Sequence, residues 1–272
     1  MRMFERSQMP LWLLPTGVFL LVAFWIPAAR LLVTAAGGSL TGLVHQLALV
    51  WLQPHMRRAL ANGLGLSLGV SAVAILLCLA PARFMARTRF RGRRVVRALL
   101  SLPLAFSGVI VGFLAIVMLG RVGVVPLVCE ILIGRPLGSG LAYALPGLFL
   151  AYLFFEIPRA VLSLEAAFSQ LDPELEAAAR SLGASAFDRL RRVTLPMLMP
   201  AFRMTFATTF SVSLGSYGAA LILSRRFTVL PVEIYQAFTA FGDDASAAAM
   251  AIWLAGISVL VSWAAGRGQT RA

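Results

Sequence analysis

Six times along this 272-residue chain a run of about twenty apolar residues recurs. A bilayer core about 30 Å thick needs about 20 residues of helix, at a rise of about 1.5 Å each. The runs lie at about 11–33, 60–82, 98–119, 141–162, 201–223 and 245–265. The expected fold class is therefore an all-α membrane protein with six transmembrane helices. Two runs carry small residues four apart, Gly65 with Gly69 and Gly108 with Gly112. That spacing allows helices to approach closely in lipid. No internal repeat stands out, which weighs against a secondary transporter built from inverted halves.

Charge sets the orientation. The sequence is 60% hydrophobic and 13% charged, whereas a soluble domain is about a quarter charged. Its formal net charge of +13 does not point to nucleic acid, because the basic residues sit in short loops between apolar runs. With a cytoplasmic N-terminus, 17 Arg fall on the inner side and 7 on the outer. Seven of the inner ones crowd between Arg83 and Arg97 and face anionic headgroups. Both termini are thus expected inside. The basic N-terminal stretch leads into an apolar run too long for a typical signal peptide, so a retained first helix is expected.

Several chemistries are excluded. All 24 basic residues are Arg. A phosphate-cradling loop of the GxxxxGK[ST] kind needs a Lys, so the chain is not expected to be a P-loop ATPase. Cys78 and Cys129 make no disulfide framework. His45 and His55 are isolated, and no catalytic or metal-binding cluster is expected. A membrane-embedded enzyme would need grouped His, Asp or Cys at membrane depth.

The stretch 171–196, LDPELEAAARSLGASAFDRLRRVTLP, breaks the apolar pattern. Asp172 is a helix N-cap followed by Pro173 at the first helical position. Glu174 and Glu176 place negative charge in the first turn. Leu171, Leu175, Ala178 or Ala179, and Leu182 recur at helical spacing. Gly183 is placed to stop the helix in a left-handed conformation. Ser185 and Asp188 offer a capping pair for a second short helix, which Leu195-Pro196 ends. An amphipathic hairpin without a local partner lies on a membrane or docks into another protein.

The stretch resembles the EAA loop of inner-membrane permeases of bacterial binding-protein-dependent ABC importers. Ala178, Ala179, Gly183, then Val193-Thr194-Leu195-Pro196 fit that family's spacing, while its Glu position falls on Ala177 and Glu176 stands one residue early. The resemblance covers roughly residues 60–265 and implies a type I importer transmembrane domain. It implies a permease core over 60–265 with a coupling loop at 163–200, an N-terminal helix and periplasmic loop over 1–59, and a cytoplasmic tail over 266–272. It also implies that the hairpin docks on a separate ATPase through Leu171, Leu175, Glu176, Ala178, Ala179, Leu182 and Gly183, with Phe187 and Arg189 beside them. The implied partners are two ATPase subunits that bind the ATP, a second permease that is the same or homologous, a periplasmic or lipid-anchored solute-binding protein, and the bacterial inner membrane. No cofactor belongs to this chain. Resemblance at LDPELEAAARSLGAS and GSYGAALIL favours polyamines, sulfate-type oxyanions, phosphonates, thiamine or iron as solute. A secondary transporter or a channel without an ATPase is the alternative.

Two groups are candidates for the solute path. Thr205, Thr209, Ser213 and Ser216 share one face of the fifth run, extended by Tyr217. They either line the path or bond to backbone carbonyls. Glu156, in AYLFFEIPRAV, is a possible gate or a structural partner of Arg159 three residues on.

Overall fold

In the lipid interior each helix must satisfy its own backbone, so breaks between helices carry as much information as the helices. The computed structural model describes residues 14–224 and 227–267. Among these, every regular element is helical. The helices are α1 (Leu14–Ala36), α2 (Leu40–Leu52), α3 (Pro54–Arg87), α4 (Arg93–Ala105), α5 (Gly108–Leu119), α6 (Val124–Ile133), α7 (Leu145–Gln170), α8 (Pro173–Ser181), α9 (Ala186–Arg189), α10 (Leu195–Leu214), α11 (Gly218–Leu223), α12 (Leu230–Thr239) and α13 (Asp244–Gly266). Five stretches of the described chain are long and apolar enough to cross a membrane: Pro15–Ala36, Pro54–Arg87, Gly108–Ile133, Leu145–Gln170 and Asp244–Gly266.

Two of the six expected runs differ from this. The third, expected at 98–119, is split. Its first part belongs to α4, which Pro103 and Phe106 end, and Ser107 then caps α5 through the Ile110 N–H at 3.5 Å. The apolar stretch continues instead to Ile133. The fifth, expected at 201–223, is divided between α10 and α11 by Gly215–Tyr217. Arg203 and the hydroxyl residues of α10 keep it out of the five apolar stretches. Arg225 and Arg226, counted on the outer side, lie outside the described residues, as do the first residues of the first run.

The chain divides into two compact units. One comprises residues 1–53 and 234–253. Within it, Gly37 and Gly38 turn at positive φ and Ser39 caps α2 through the Gly42 N–H at 3.0 Å. Trp253 Nε1 donates to the Leu47 carbonyl at 3.0 Å, and its ring meets Trp51 edge-on. Phe19, Leu20, Phe24 and Trp25 of α1 are exposed, as suits a helix apolar all round.

The other unit comprises 54–233 and 254–272. Its centre is α3 against α7. Gly69 faces the Phe149 ring and Cys78 Sγ approaches the Ile157 carbonyl at 3.4 Å, so the two helices run in the same direction. Leu66, Val70, Ala74 and Cys78 of α3 bury against Leu148, Tyr152 and Phe155 of α7. α10 runs opposite: Leu214 lies at Gly63, whereas Phe202 and Phe206 lie at Ile75. α4 is held to α7 by Arg93 and Arg97, both bonded to the buried Glu165 carboxylate.

Gly108 and Gly112 do mark a close approach. A Cβ on Gly108 would lie 3.1 Å from the Ala219 nitrogen, and one on Gly112 3.0 Å from Ile222 Cβ. Gly218 answers from α11, where a Cβ would lie 2.7 Å from the Val109 nitrogen. Gly69 meets only the Phe149 ring, and Gly65 has nothing within 4 Å. Gly218→Val should therefore cost about 1–3 kcal/mol through overpacking. Gly65→Ala should stabilise α3 by about 0.5–1 kcal/mol through backbone entropy. Thermal unfolding of the purified chain in detergent reads both signs, and equal effects at the two sites would refute the packing role of Gly218.

Candidate functional site: the 171–196 hairpin and the α7–α10 interior

The hairpin forms as its sequence dictates. Asp172 accepts from the Glu174 N–H at 2.9 Å and starts α8. Gly183 turns at φ +82, with its N–H bonded to the Arg180 carbonyl and the next N–H to the Ala179 carbonyl. Ser185 accepts from the Asp188 N–H at 3.1 Å and starts α9. Arg189 reaches back to the Ala184 carbonyl at 2.9 Å and closes the turn. Beyond α9 the backbone widens over Leu190–Thr194, where the Leu195 N–H bonds to the Leu190 carbonyl, before α10 begins.

The structure sorts the nominated side chains into two sets. Leu182 is 88% exposed, Phe187 67% and Leu175 41%, and Ala178 is exposed beside them. A groove lined by Ala179, Leu182, Gly183, Ala184 and Val193 runs between the two short helices. Leu171 and Glu176 point the other way. Leu171 is buried in the helical core. Glu176 Oε2 pairs with Arg83 of α3 at 3.2 Å, and its Oε1 accepts from Thr194 Oγ1 at 2.9 Å. Neither of these two side chains belongs to the exposed apolar ridge. The partners Arg83 and Thr194 escaped sequence reasoning, because no helical spacing links residues 93 positions apart.

The path candidates gather at α7. Glu156 is fully buried, eleven residues into α7 and not at its cytoplasmic end. Its Oε1 takes the expected bond from Arg159 at 2.8 Å. Its Oε2 lies beside Ser213 of α10, but the two complete no hydrogen bond of normal geometry. Tyr152, a residue the sequence did not single out, donates to the Ser216 carbonyl at 2.6 Å where α10 ends. Thr205, Thr209 and Ser213 are buried, whereas Ser216 and Tyr217 are partly exposed. Thr209 Oγ1 is occupied by the Thr205 and Phe206 carbonyls at 2.9 and 3.1 Å. The stripe thus packs inward, and only its Ser213–Ser216 end meets polar groups of α7. A cavity of about 1060 Å³ opens elsewhere, at the α5–α6 turn, lined by Arg121, Gly123, Ser139 and Tyr143. None of the path candidates lines it.

A helical bundle with apolar spans, a buried carboxylate in mid-helix and a separately capped hairpin presenting apolar side chains defines a membrane transport permease. The chain belongs to the family of binding-protein-dependent transport system inner membrane components, whose family model matches residues 73–271. It is 32% identical over 259 residues to a probable molybdenum ABC transporter permease of Haloferax volcanii, covering 95% of this chain and 89% of that one. It is 32% identical to the molybdenum transport system permease ModB of Escherichia coli, covering 76% and 94%. The sulfate transport system permease CysW of Synechococcus elongatus is 29% identical, covering 94% and 88%. Among solved structures, a chain of a bacterial alginate ABC transporter in complex with a periplasmic protein superposes with a TM-score of 0.77 at 21% identity, covering 96% and 93%. The MetNI methionine ABC transporter gives 0.57 at 16% identity, covering 79% and 96%. These last two show the fold.

Burial gives the α10 stripe a direct test. Thr209→Leu and Ser213→Leu place bulk at buried positions, whereas Thr208 and Val212 face outward. The first two should lower both thermal stability and uptake, each by about 1–3 kcal/mol in stability. Thr208→Leu and Val212→Leu should leave both unchanged. Uptake lost equally on the two faces, with stability intact, would refute the inward-packed stripe.

Proposed function

We propose that this permease imports a tetrahedral oxyanion of the molybdate or sulfate type, driven by ATP bound and hydrolysed on a separate subunit. The observation that carries the coupling is the exposed ridge of Leu175, Ala178, Leu182 and Phe187 on a hairpin held rigid by its own caps. An apolar ridge of this kind is stabilised by burial, at about 25 cal/mol per Å². A groove on an ATPase subunit is the partner that supplies it in this reading. The solute class is supported by the molybdenum and sulfate permeases to which the chain is similar. Arg121, lining the cavity at the α5–α6 turn, adds a positive charge that suits an anion.

In the same reading the chain performs no chemistry of its own. Two ATPase subunits close on ATP, the hairpins of two permeases move with them, and the bundle alternates its access. The second permease is a copy or a homologue, and a solute-binding protein delivers from outside. Residues 60–265 form the core, with the coupling loop at 163–200, and both termini and both Arg-rich loops are cytoplasmic. Glu156, Arg159 and Ser213 form the polar contact between α7 and α10 that moves during access change, with Arg159 keeping the buried carboxylate from standing as a lone charge.

Orientation is tested by cysteine labelling. With Cys78 and Cys129 replaced, single cysteines at Ser169 and Thr228 should label from opposite sides of intact cells. An impermeant reagent that reaches Ser169 from outside refutes the orientation.

Docking is tested on the ridge. Leu182→Asp should release the co-purifying ATPase and abolish uptake while the bundle stays folded. Gly183→Val forces a β-branched residue to φ +82, at a cost of roughly 1–2 kcal/mol, and re-aims α9. It should lower uptake with partial retention of the ATPase. Normal ATPase stoichiometry and uptake of molybdate and sulfate in both variants, measured in proteoliposomes, would overturn the coupling assignment.

A further inference from the structure

Glu176 stands on the flank of α8. At about 100° per residue it sits roughly a quarter-turn or more from Leu175, Ala178 and Leu182, so it is turned away from the ridge. Its side chain is only 13% exposed. Both carboxylate oxygens are used, one by Arg83 near the end of α3 and one by the fully buried Thr194, whose hydroxyl also lies 3.3 Å from the Arg189 carbonyl. One carboxylate therefore ties three segments: α8, the last turns of α3, and the widened turn that feeds α10. The wide turn over Leu190–Thr194 leaves α9 and α10 joined by a segment without regular α-helical bonding, so the backbone alone transmits little there.

We infer that Arg83, Glu176 and Thr194 form an internal strut that makes the hairpin move as one body with α3 and α10. The inference rests on the hairpin being the coupling element. It goes beyond that by assigning Glu176 a positioning role inside the permease, in place of a contact with the ATPase. The ridge receives the motion and the strut passes it on. α3 is the right recipient, since it packs against both α7 and α10 along the core. A charge-assisted pair with a buried hydroxyl behind it is stiffer than a lone surface ion pair, which contributes little. Motion through such a contact qualifies as coupling only if the joined elements keep their relative position as the state changes.

The test uses the whole transporter, permease with its co-purified ATPase, in lipid nanodiscs. Spin labels replace Glu174 at the start of α8 and Phe84 on α3, both exposed. In the wild-type background the distance between them should be the same with and without ATP. In Glu176→Gln, Arg83→Ala and Thr194→Val, ATP should shift and broaden that distance. Thr194→Ser keeps the hydroxyl and should behave as wild type. The double variant Arg83→Ala with Glu176→Gln should be no worse than either single one, because both remove the same contact. All of these should retain the ATPase, and uptake should fall about fivefold or more, the low end of usual couplings between sites. Three results would overturn the strut. One is a wild-type distance that changes with ATP. Another is variants whose distances match wild type in both states. The last is loss of the ATPase in Glu176→Gln, which would place Glu176 in the docking contact. Failure of the coupling reading itself shows separately, as ATPase retention and uptake in Leu182→Asp, whatever the distances do.

Discussion

Close packing of α3 against α7 and α10 is the contact on which the rest depends. In lipid there is no hydrophobic gain in bringing apolar helices together, so association rests on shape and on hydrogen bonds between helices. α3 supplies the shape. It places Gly63, Ser67, Val70, Ser71, Ala74 and Cys78 along its buried side. These are small or β-branched residues into which Leu148, Tyr152 and Leu214 fit. The hydrogen bonds come from α7, through Tyr152 to the end of α10 and through the Ile157 carbonyl to Cys78. Because α3 contacts both neighbours, a displacement at its cytoplasmic end is felt by both.

That end is also where charge concentrates, and the arginines there divide by task. Arg83 braces Glu176, while Arg93 and Arg97 converge on Glu165 and hold α4 to α7. Arg89, Arg91 and Arg94 are exposed and serve the electrostatics of the membrane surface. Positive charge in the inner loops thus does two things at once. It biases orientation, which depends only on the number of basic residues, and it pins three helices, which depends on which carboxylate each guanidinium reaches.

Local rules made much of this legible. The apolar runs located the membrane helices, and cap chemistry located the hairpin with its Asp172, Gly183 and Ser185 in the expected roles. The Glu156–Arg159 pair followed from a spacing of three on a helix. The breaks were harder. Pro103 and Ser107 signalled the end of α4 and the start of α5, but apolarity across the junction hid them, because hydropathy averages over a break of two residues. The division at Gly215–Tyr217 was hidden in the same way. Side-chain direction on α8 was not legible at all. Leu171 and Glu176 fit the amphipathic pattern as well as Leu175 and Leu182 do, and only the position of α3 decides which of them turns inward.

The same distinction explains why the solute is read from relatives and not from side chains. Within the described residues the polar groups of the bundle are few, and most are already occupied: Thr209 by its own helix, Tyr152 by the Ser216 carbonyl, one oxygen of Glu156 by Arg159. A path built from groups committed to packing has little left with which to choose among anions. Discrimination between a molybdate and a sulfate of the same shape and charge needs several donors at fixed positions, which suits a closed site on a binding protein better than a bundle that must open to both sides. What the bundle must do is different. It must change access without exposing the buried Glu156, and that demands a stiff connection from the hairpin to α3 and α10 more than it demands a solute-specific lining.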